Sequence, residues 1–175
     1  CLGMADFTAR RGARNFSEEE FEKAVRYCHI RGCKVYVTLN TLVNDREMDS
    51  AVRTAGFASD AGADGIIIQD LGLIKAVRSA LPDIPLHAST QMSIHNLAGV
   101  EAAAEMGLTR AVLARELSFE EIKFITAHAS IETEVFVHGA LCFCHSGQCY
   151  MSSVIGARSG NRGMGAQPCG MRYSL

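Results

Sequence analysis

The chain of 175 residues is long enough for one domain with a sizeable core, and 48% of it is apolar and 21% charged, as in ordinary globular proteins. Its formal charge of −2 gives no overall argument for a nucleic-acid partner, and no apolar run approaches the roughly 20 residues of a membrane helix. Seven unevenly spread cysteines without a signal peptide do not resemble a secreted disulfide framework, so we predict a cytoplasmic protein without membrane contact.

Strands and helices alternate along the chain. Two capping boxes, Ser17–Glu20 and Ser118–Glu121, predict where two helices begin, and short apolar or alternating runs predict the strands. In chain order we predict a strand end at Cys1–Gly3, a helix from Ser17 to about Gly32, a strand at Lys34–Leu39, a helix from Asn44 to about Ala61, a strand at Asp64–Gln69, a helix at Leu71–Leu81, a strand at Pro85–Ser89, a helix from Asn96 to Met106, a strand at Arg110–Ala114, a helix from Ser118 to about His128 and a strand at Thr133–Val137.

Polar residues follow nearly every predicted strand. An open doubly wound sheet would gather such residues at one switch point, whereas a (β/α) barrel brings every strand end to one axis. We therefore predict an α/β, TIM-barrel-like fold, incomplete at about five to six β-α units, in residues 1–137. With about two strands missing, we expect a piece of a longer protein, in which a Cys/Gly-rich segment at 138–175 continues beyond the chain end. The strand-end residues include Arg10, Asn40, Gln69, Gln91, Arg115 and His138.

The stretch from Glu134 to Cys169 carries the strongest chemical pattern. Thiolates in glycine-rich turns suit a soft metal or an iron–sulfur cluster, and the apolar Val135–Val137 predicts a buried strand directly before them. The spacing matches neither a zinc ribbon nor a ferredoxin run, so iron–sulfur, zinc and unmetallated thiols all stay open. Four of the seven cysteines fall here, namely Cys142, Cys144, Cys149 and Cys169, and a zinc site would use Cys142, Cys144, His145 and Cys149.

The charge balance changes after Glu134. No Asp, Glu or Lys follows it, but Arg158, Arg162 and Arg172 remain. Guanidinium groups suit phosphate geometry, so these arginines are candidate RNA contacts, although three arginines can equally well solvate a loop.

At these residues the sequence resembles the collagenase-like peptidase family, peptidase family U32. The family pattern runs Glu-x-Phe-x-x-Gly-Ala/Ser-aliphatic-Cys, four residues, then Gly-x-Cys-x-aliphatic-Ser. The resemblance extends upstream over nearly the whole chain, and it implies a barrel-like N-terminal domain that is longer at both ends. The matching positions are Glu134, Phe136, Gly139, Ala140, Leu141, Cys142, Gly147, Cys149, Met151 and Ser152.

The resemblance implies two activities. One is iron–sulfur-dependent hydroxylation of a pyrimidine base in ribosomal or transfer RNA, linked to prephenate, and the other is hydrolysis of peptides. The chain shows no His-Glu-x-x-His motif and no convincing Ser–His–Asp order, so we expect the hydroxylase. The peptidase, in which Cys142 and Glu134 would be required, and an RNA-binding module with a structural metal remain alternatives.

For the hydroxylase, we expect a cluster, of the four-iron–four-sulfur type, to be bound by Cys142, Cys149 and Cys169, with a fourth ligand outside this chain. Family members commonly carry a cysteine where this chain has Gly165, and an arginine is frequent where it has Gly170. Arg10 and Arg115 would bind the carboxylate of the small acid. Asn40, Gln91 and His138 would orient the RNA base, and Glu134 completes the candidate catalytic set.

Overall fold

The computed structural model describes residues 1–4, 6–139 and 142–172. Two matching positions of the family pattern, Ala140 and Leu141, and residues 173–175 lie outside that range. The elements in chain order are β1 (Leu2–Gly3), α1 (Glu18–His29), β2 (Tyr36–Leu39), α2 (Asp45–Asp60), β3 (Gly65–Ile68), α3 (Leu71–Ala80), β4 (Leu86–Ala88), α4 (Leu97–Glu105), β5 (Arg110–Val112), α5 (Phe119–His128), β6 (Glu132–Glu134) and α6 (Met151–Gly156), with 3-10 turns at Thr90–Met92, Gly160–Arg162 and Pro168–Gly170.

The strands form one parallel sheet in the order of the sequence, from β1 to β6. A doubly wound sheet reverses its strand order at a switch point, and this sheet does not. Sequential parallel strands joined by crossover helices form the wall of a (β/α) barrel. The predicted fold class is therefore confirmed, and the sheet is unclosed, as expected for an incomplete barrel.

Alternation along each strand separates two faces of the sheet. On β2, Val37 and Leu39 are fully buried against the helices, while Tyr36 and Thr38 point to the opposite, inner face and are half-buried. All four residues of β3 are buried, and its outward Ile66 and Ile68 join one core with the outward residues of β2 and the inner sides of the helices. This core holds the helices against the sheet, and the polar groups lie at the ends of the strands.

Capping residues in the local sequence determine where three of the helices begin. Ser17, Asn44 and Ser118 each accept a hydrogen bond from the first turn, and Glu20, Glu47 and Glu121 complete three capping boxes. Each such cap stabilises a helix by about 1 kcal/mol. None of the helices within the described ranges has the length and apolar character needed to cross a membrane.

The predicted strand at Thr133–Val137 is wrong in its second half. β6 ends at Glu134, which is in register with Val112, the last residue of β5, and no other strand in the described part pairs with β6. Without a partner to pack against, the following apolar residues point into solvent: Phe136 is 62% exposed and Val137 is 92% exposed. The apolar composition predicted burial, but burial requires a neighbouring element.

Truncating a core side chain should lower the free energy of unfolding far more than truncating an exposed side chain of a helix. We expect Leu86→Ala, at a fully buried position of β4, to lower the free energy of unfolding by about 2–5 kcal/mol because it leaves a cavity. The same change at Leu71, which is 62% exposed at the start of α3, should cost less than about 0.5 kcal/mol. Urea unfolding of both variants measures the difference, and equal effects would contradict the placement of β4 inside the core.

Candidate functional site at the strand ends

A tail segment, residues 142–172, lies across the carboxyl ends of the strands. The tail segment contacts the loop that follows each of the first five strands. These loops all lie at the same edge of the sheet. The partners are Thr8 after β1, Leu42 after β2, Gln69 after β3, Gln91 and Ser93 after β4, and Arg115 and Glu116 after β5.

Ser146 is the main anchor of the tail segment. Its backbone N–H donates to Glu116 Oε1 at 2.8 Å, and its hydroxyl lies 3.2 Å from the same oxygen. The hydroxyl also accepts hydrogen bonds from Arg115 Nε at 3.2 Å and from the Arg115 backbone N–H at 3.3 Å. Ser93 donates its hydroxyl to the Ser146 carbonyl. Ser146 is fully buried, and its polar groups are all satisfied, as burial demands.

Two glycines let the tail segment approach the barrel closely. Gly147 has φ +73°, and a Cβ there would overlap the carbonyl group of Gln91. Gly163 also has φ +73°, and a Cβ there would overlap the carbonyl oxygen of Thr8. Both positions therefore need glycine for two reasons, the left-handed backbone and the lack of space.

The second anchor is Arg162. Its guanidinium donates to Glu47 Oε1 at 2.5 Å and to the Leu42 carbonyl at 3.2 Å. Hydrogen bonding from Arg162 lowers the pKa of the Glu47 carboxyl. Next to it, the carbonyl of Asn161 accepts from the Leu42 N–H at 3.2 Å and from Gln69 Nε2 at 3.4 Å. Arg162, a candidate RNA contact, is thus engaged with the barrel.

A cavity of about 230 Å³ opens beside this anchor. Arg11, Arg46 and Arg162 face Asp6 and Glu47 in its lining. Arg11 pairs with Asp6 at 2.9 Å and Arg162 with Glu47, so in the described part Arg46 is the lining arginine without an ion pair. The cavity has an excess of positive charge and room for a small anion.

Three thiols gather on the turn around Ser146. A hydrogen bond from Arg115 lowers the pKa of Cys142, so its thiolate is favoured. Burial, followed by the nearby thiols of Cys149 and Cys142, raises the pKa of Cys144. The Cys144 thiol lies 3.5 Å from the Gln148 carbonyl. Cys169 is exposed on the 3-10 turn at Pro168–Gly170, which packs against α6, the helix that begins two residues after Cys149.

Two further predicted site residues serve as structural acceptors at the strand ends. Asn40 Oδ1 accepts the Ala9 N–H at 2.9 Å, and Gln91 Oε1 accepts from Gln69 Nε2 at 3.1 Å. Glu134 lies on the inner face and pairs with Arg110 at 3.3 Å. These contacts hold the loops and strands around the site in place.

The remaining predicted residues are not brought into contact with the thiols. Arg10, His138, Arg158 and Arg172 are exposed, and their side chains make no ion pair within the ranges described. These side chains are therefore free to meet a ligand from solvent.

Sequence reasoning missed His95 and Ser146 as members of the site. His95 Nε2 lies 3.3 Å from Glu116 Oε2, and Glu116 binds Ser146. Glu116 stands next to the predicted Arg115 at a strand end, which was the one local signal. His95 and Ser146 have no sequence pattern of their own, since they join the site through contacts between distant segments.

An inner layer of the barrel lies below the strand ends. His87, buried on β4, packs its ring on Tyr36 with centroids 4.7 Å apart. Arg110 reaches Glu132 at 2.6 Å on the same face. Burial, and then the positive charge of Arg110, lower the pKa of His87 to about 4, so this imidazole is neutral near neutral pH.

These features together define an unclosed (β/α)-barrel domain whose strand ends are covered by a cysteine-bearing segment. The chain belongs to peptidase family U32: the family model, described as Peptidase family U32, matches residues 1–175. The resemblance inferred from the residues is thereby confirmed.

Relatives with assigned names match nearly all of this chain. It is 38% identical over 174 residues to the 23S rRNA 5-hydroxycytidine C2501 synthase of Escherichia coli strain K12, covering 99% of this chain and 26% of that protein. It is 37% identical over 174 residues to tRNA hydroxylation protein P1 of Bacillus subtilis strain 168, covering 99% of this chain and 41% of that protein. The chain therefore spans well under half the length of these relatives.

A solved structure supports the fold. The structure of the U32 peptidase Mk0906 superimposes with a TM-score of 0.65 at 19% identity, over 81% of this chain and 61% of that one. At this identity the likeness concerns the architecture, which agrees with the sequential parallel sheet.

Placing a methyl group on Gly147 should detach the Ser146 turn. We expect Gly147→Ala to lower the local opening free energy of the turn by about 1–3 kcal/mol, because the Cβ would overlap the Gln91 carbonyl group. Hydrogen exchange at the Ser146 amide measures this loss. Gly156→Ala is the control, since nothing lies within 4 Å of a Cβ there, and an unchanged Ser146 amide in Gly147→Ala would contradict the docking.

His87 should make the stability depend on acid pH. Its folded pKa of about 4 lies below the unfolded value of 6.5, so the unfolded chain binds the proton first. The contribution of neutral His87 to the free energy of unfolding is therefore complete above pH 6.5 and is lost as the pH falls towards 4. The loss amounts to at most about 3 kcal/mol, at 1.36 kcal/mol per pKa unit.

Urea unfolding between pH 7 and 4 tests this expectation. His87→Leu should reduce the decline in unfolding free energy over that window, whereas His128→Gln, at an exposed position of α5, should leave the decline as it is. A His87→Leu variant with the same pH profile as the native chain would contradict the assignment.

Proposed function

We propose that this chain is the barrel part of an RNA hydroxylase that modifies a pyrimidine base and carries an iron–sulfur cluster on its tail segment. The observation that carries the proposal is the group of thiols on the Ser146 turn, placed at the strand ends where (β/α) barrels keep their chemistry. Two relatives named for hydroxylation of ribosomal or transfer RNA, each matching 99% of the chain, support it.

The residues present fit a thiolate-ligated group. Iron binds the thiolate form, and the hydrogen bond from Arg115 favours that form at Cys142. Neither the three proposed cluster thiols nor any three donors of the zinc alternative lie within 4.8 Å of one another among the residues described. Either ligand set would therefore be drawn together on binding, and the iron and sulfide content of the purified protein distinguishes the two alternatives.

The proposed cluster ligands are Cys142, Cys149 and Cys169, with a fourth ligand outside this chain. When bound, such a cluster supplies one-electron redox chemistry at the barrel mouth. Arg115 holds the turn in place through Ser146 and stabilises the Cys142 thiolate, so it acts as a positioning residue for the thiols.

The substrate groups would bind around this turn. Arg46 lines the cavity of about 230 Å³ without an ion pair in the described ranges, and it suits a small carboxylic acid such as prephenate. Arg10, which is exposed and also without an ion pair, would assist it. Asn40, Gln91 and His138 would orient the base, and Arg158 and Arg172 remain available for RNA phosphate because Arg162 is bound to Glu47. We place the protein in the cytoplasm, where its RNA substrate is found.

Peptide hydrolysis remains the alternative. It needs an activated nucleophile, and the Ser146 hydroxyl is fully buried, with the Glu116 carboxylate, and not the His95 ring, as its acceptor. This arrangement does not activate a serine. A third possibility, an RNA-binding module with a structural metal, predicts RNA binding without any modification of the base.

Anaerobic purification of the full-length protein tests the cluster. We expect a coloured protein with iron and acid-labile sulfide, and loss of both in Cys142→Ser, Cys149→Ser and Cys169→Ser because each removes a thiolate ligand. Cys28→Ser and Cys33→Ser are the controls, since both cysteines lie at or after the end of α1, far along the chain from the tail segment.

The activity is measured by mass spectrometry of ribosomal and transfer RNA from cells that lack the protein. Complementation with the native gene should restore a pyrimidine that is heavier by one oxygen atom, and Cys142→Ser should not. A colourless protein without iron would overturn the proposal. Cleavage of denatured collagen that disappears in Cys142→Ser or Glu134→Gln would establish the peptidase.

A further inference from the structure

Three side chains that form no part of the proposed cluster point their donor atoms at one another. A nitrogen of His95, a carboxylate oxygen of Glu116 and a nitrogen of His145 all lie within 4.8 Å of one another. They come from three separate places: the loop after β4, the loop after β5 and the tail segment. Within the described ranges this is the one group of three or more potential metal ligands that converge in this way.

The local hydrogen bonds orient two of these groups. His95 Nδ1 lies 2.6 Å from the carbonyl of Ser93, so Nδ1 carries a proton and donates it. In the neutral ring, Nε2 then bears the lone pair, and it faces Glu116 Oε2 at 3.3 Å. A backbone carbonyl bound to the far nitrogen of the ring is the common arrangement behind a metal-ligating histidine.

Glu116 is oriented in the same manner. Its Oε1 accepts the Ser146 N–H at 2.8 Å, which leaves Oε2 directed at His95. His95 Nε2 and Glu116 Oε2 thus face each other at 3.3 Å, and a nitrogen of His145 lies within 4.8 Å of both atoms. One cation can therefore contact all three groups at the point where they converge.

We propose that His95, Glu116 and His145 bind one divalent transition-metal ion. Two imidazoles and one carboxylate form the ligand set of open zinc and iron(II) sites, and these ligands suit first-row divalent metals in general. His95 is half-buried and Glu116 and His145 are exposed, so solvent can supply the remaining coordination positions. The ion would join the loops after β4 and β5 to the tail segment, and binding it would stabilise that docking.

This site is separate from the proposed cluster, although His145 lies between Cys144 and Cys149 in the sequence. Its ligands are nitrogen and oxygen atoms, and the cluster uses sulfur. The inference therefore stands or falls independently of the hydroxylase proposal, and the two can be told apart by their spectra.

The probe is Co²⁺, added anaerobically to the full-length protein after chelation of adventitious metal. We expect one equivalent to bind with visible d–d absorption and without the intense near-ultraviolet charge transfer of a cobalt–thiolate bond. His95→Gln and His145→Gln should each weaken binding by at least about 10-fold, the lower limit seen when only an outer-shell partner of a metal ligand is lost. Circular dichroism and the melting temperature of each variant without metal establish that it is folded.

His128→Gln is the matched control, because His128 also directs Nδ1 to a backbone carbonyl, that of Phe124, but lies on exposed α5 away from Glu116. It should bind Co²⁺ like the native protein. Zn²⁺ should raise the melting temperature of the native protein and of His128→Gln, but not that of His145→Gln.

Two outcomes would overturn the inference. Equal Co²⁺ affinity in native protein, His95→Gln and His145→Gln would show that His95 and Glu116 are joined by a proton alone. A cobalt–thiolate spectrum that vanishes in Cys142→Ser would place the ion on the cysteines. A colourless protein that still binds Co²⁺ through nitrogen and oxygen would sink the cluster proposal and leave this one intact.

Discussion

The site depends on the burial of Ser146 between Arg115 and Glu116. This serine brings a backbone donor, a hydroxyl and a carbonyl into a place from which water is excluded, so every one of them must find a partner. The strand-end pair and Ser93 supply these partners. Because the bonds come from two loops of the barrel, the position of the thiols on either side of Ser146 is set by the sheet and not by the tail segment itself.

The parallel sheet explains why these groups meet. The outward residues of the strands pack against the helices. Because the strands are parallel and neighbouring, the polar side chains that follow them lie together at the carboxyl-terminal edge of the sheet, the rim of the barrel. Most of those polar side chains form hydrogen bonds with other parts of the chain. Asn40 holds the loop after β1 and Gln69 links Gln91 to Asn161, while Glu47, in the first turn of α2, holds Arg162. The rim is therefore preorganised, with the thiols and the unpaired arginines as its chemically available groups.

The structural features that could be predicted from the sequence are those set by residues close together along the chain. Capping boxes, such as that of Ser118, and the apolar run of β3 were found because their signals are local. The barrel followed from polar residues after successive strands. Val135–Val137 was wrong because burial there requires a partner that composition does not reveal. His95 and Ser146 escaped prediction because contacts between residues about 20 to 50 positions apart carry no local pattern. The ion pair of Arg162 with Glu47 was not foreseen either, because the two residues are 115 positions apart.

The unequal acidity of Cys142 and Cys144 has a chemical consequence. A thiol with a lowered pKa is the stronger nucleophile near neutral pH, since only the thiolate attacks electrophiles and peroxides. Alkylating reagents and peroxides are therefore expected to modify Cys142 ahead of Cys144. The contact with the Arg115 guanidinium that favours the thiolate of Cys142 thus also makes its sulfur more open to oxidation to sulfenic acid than that of Cys144.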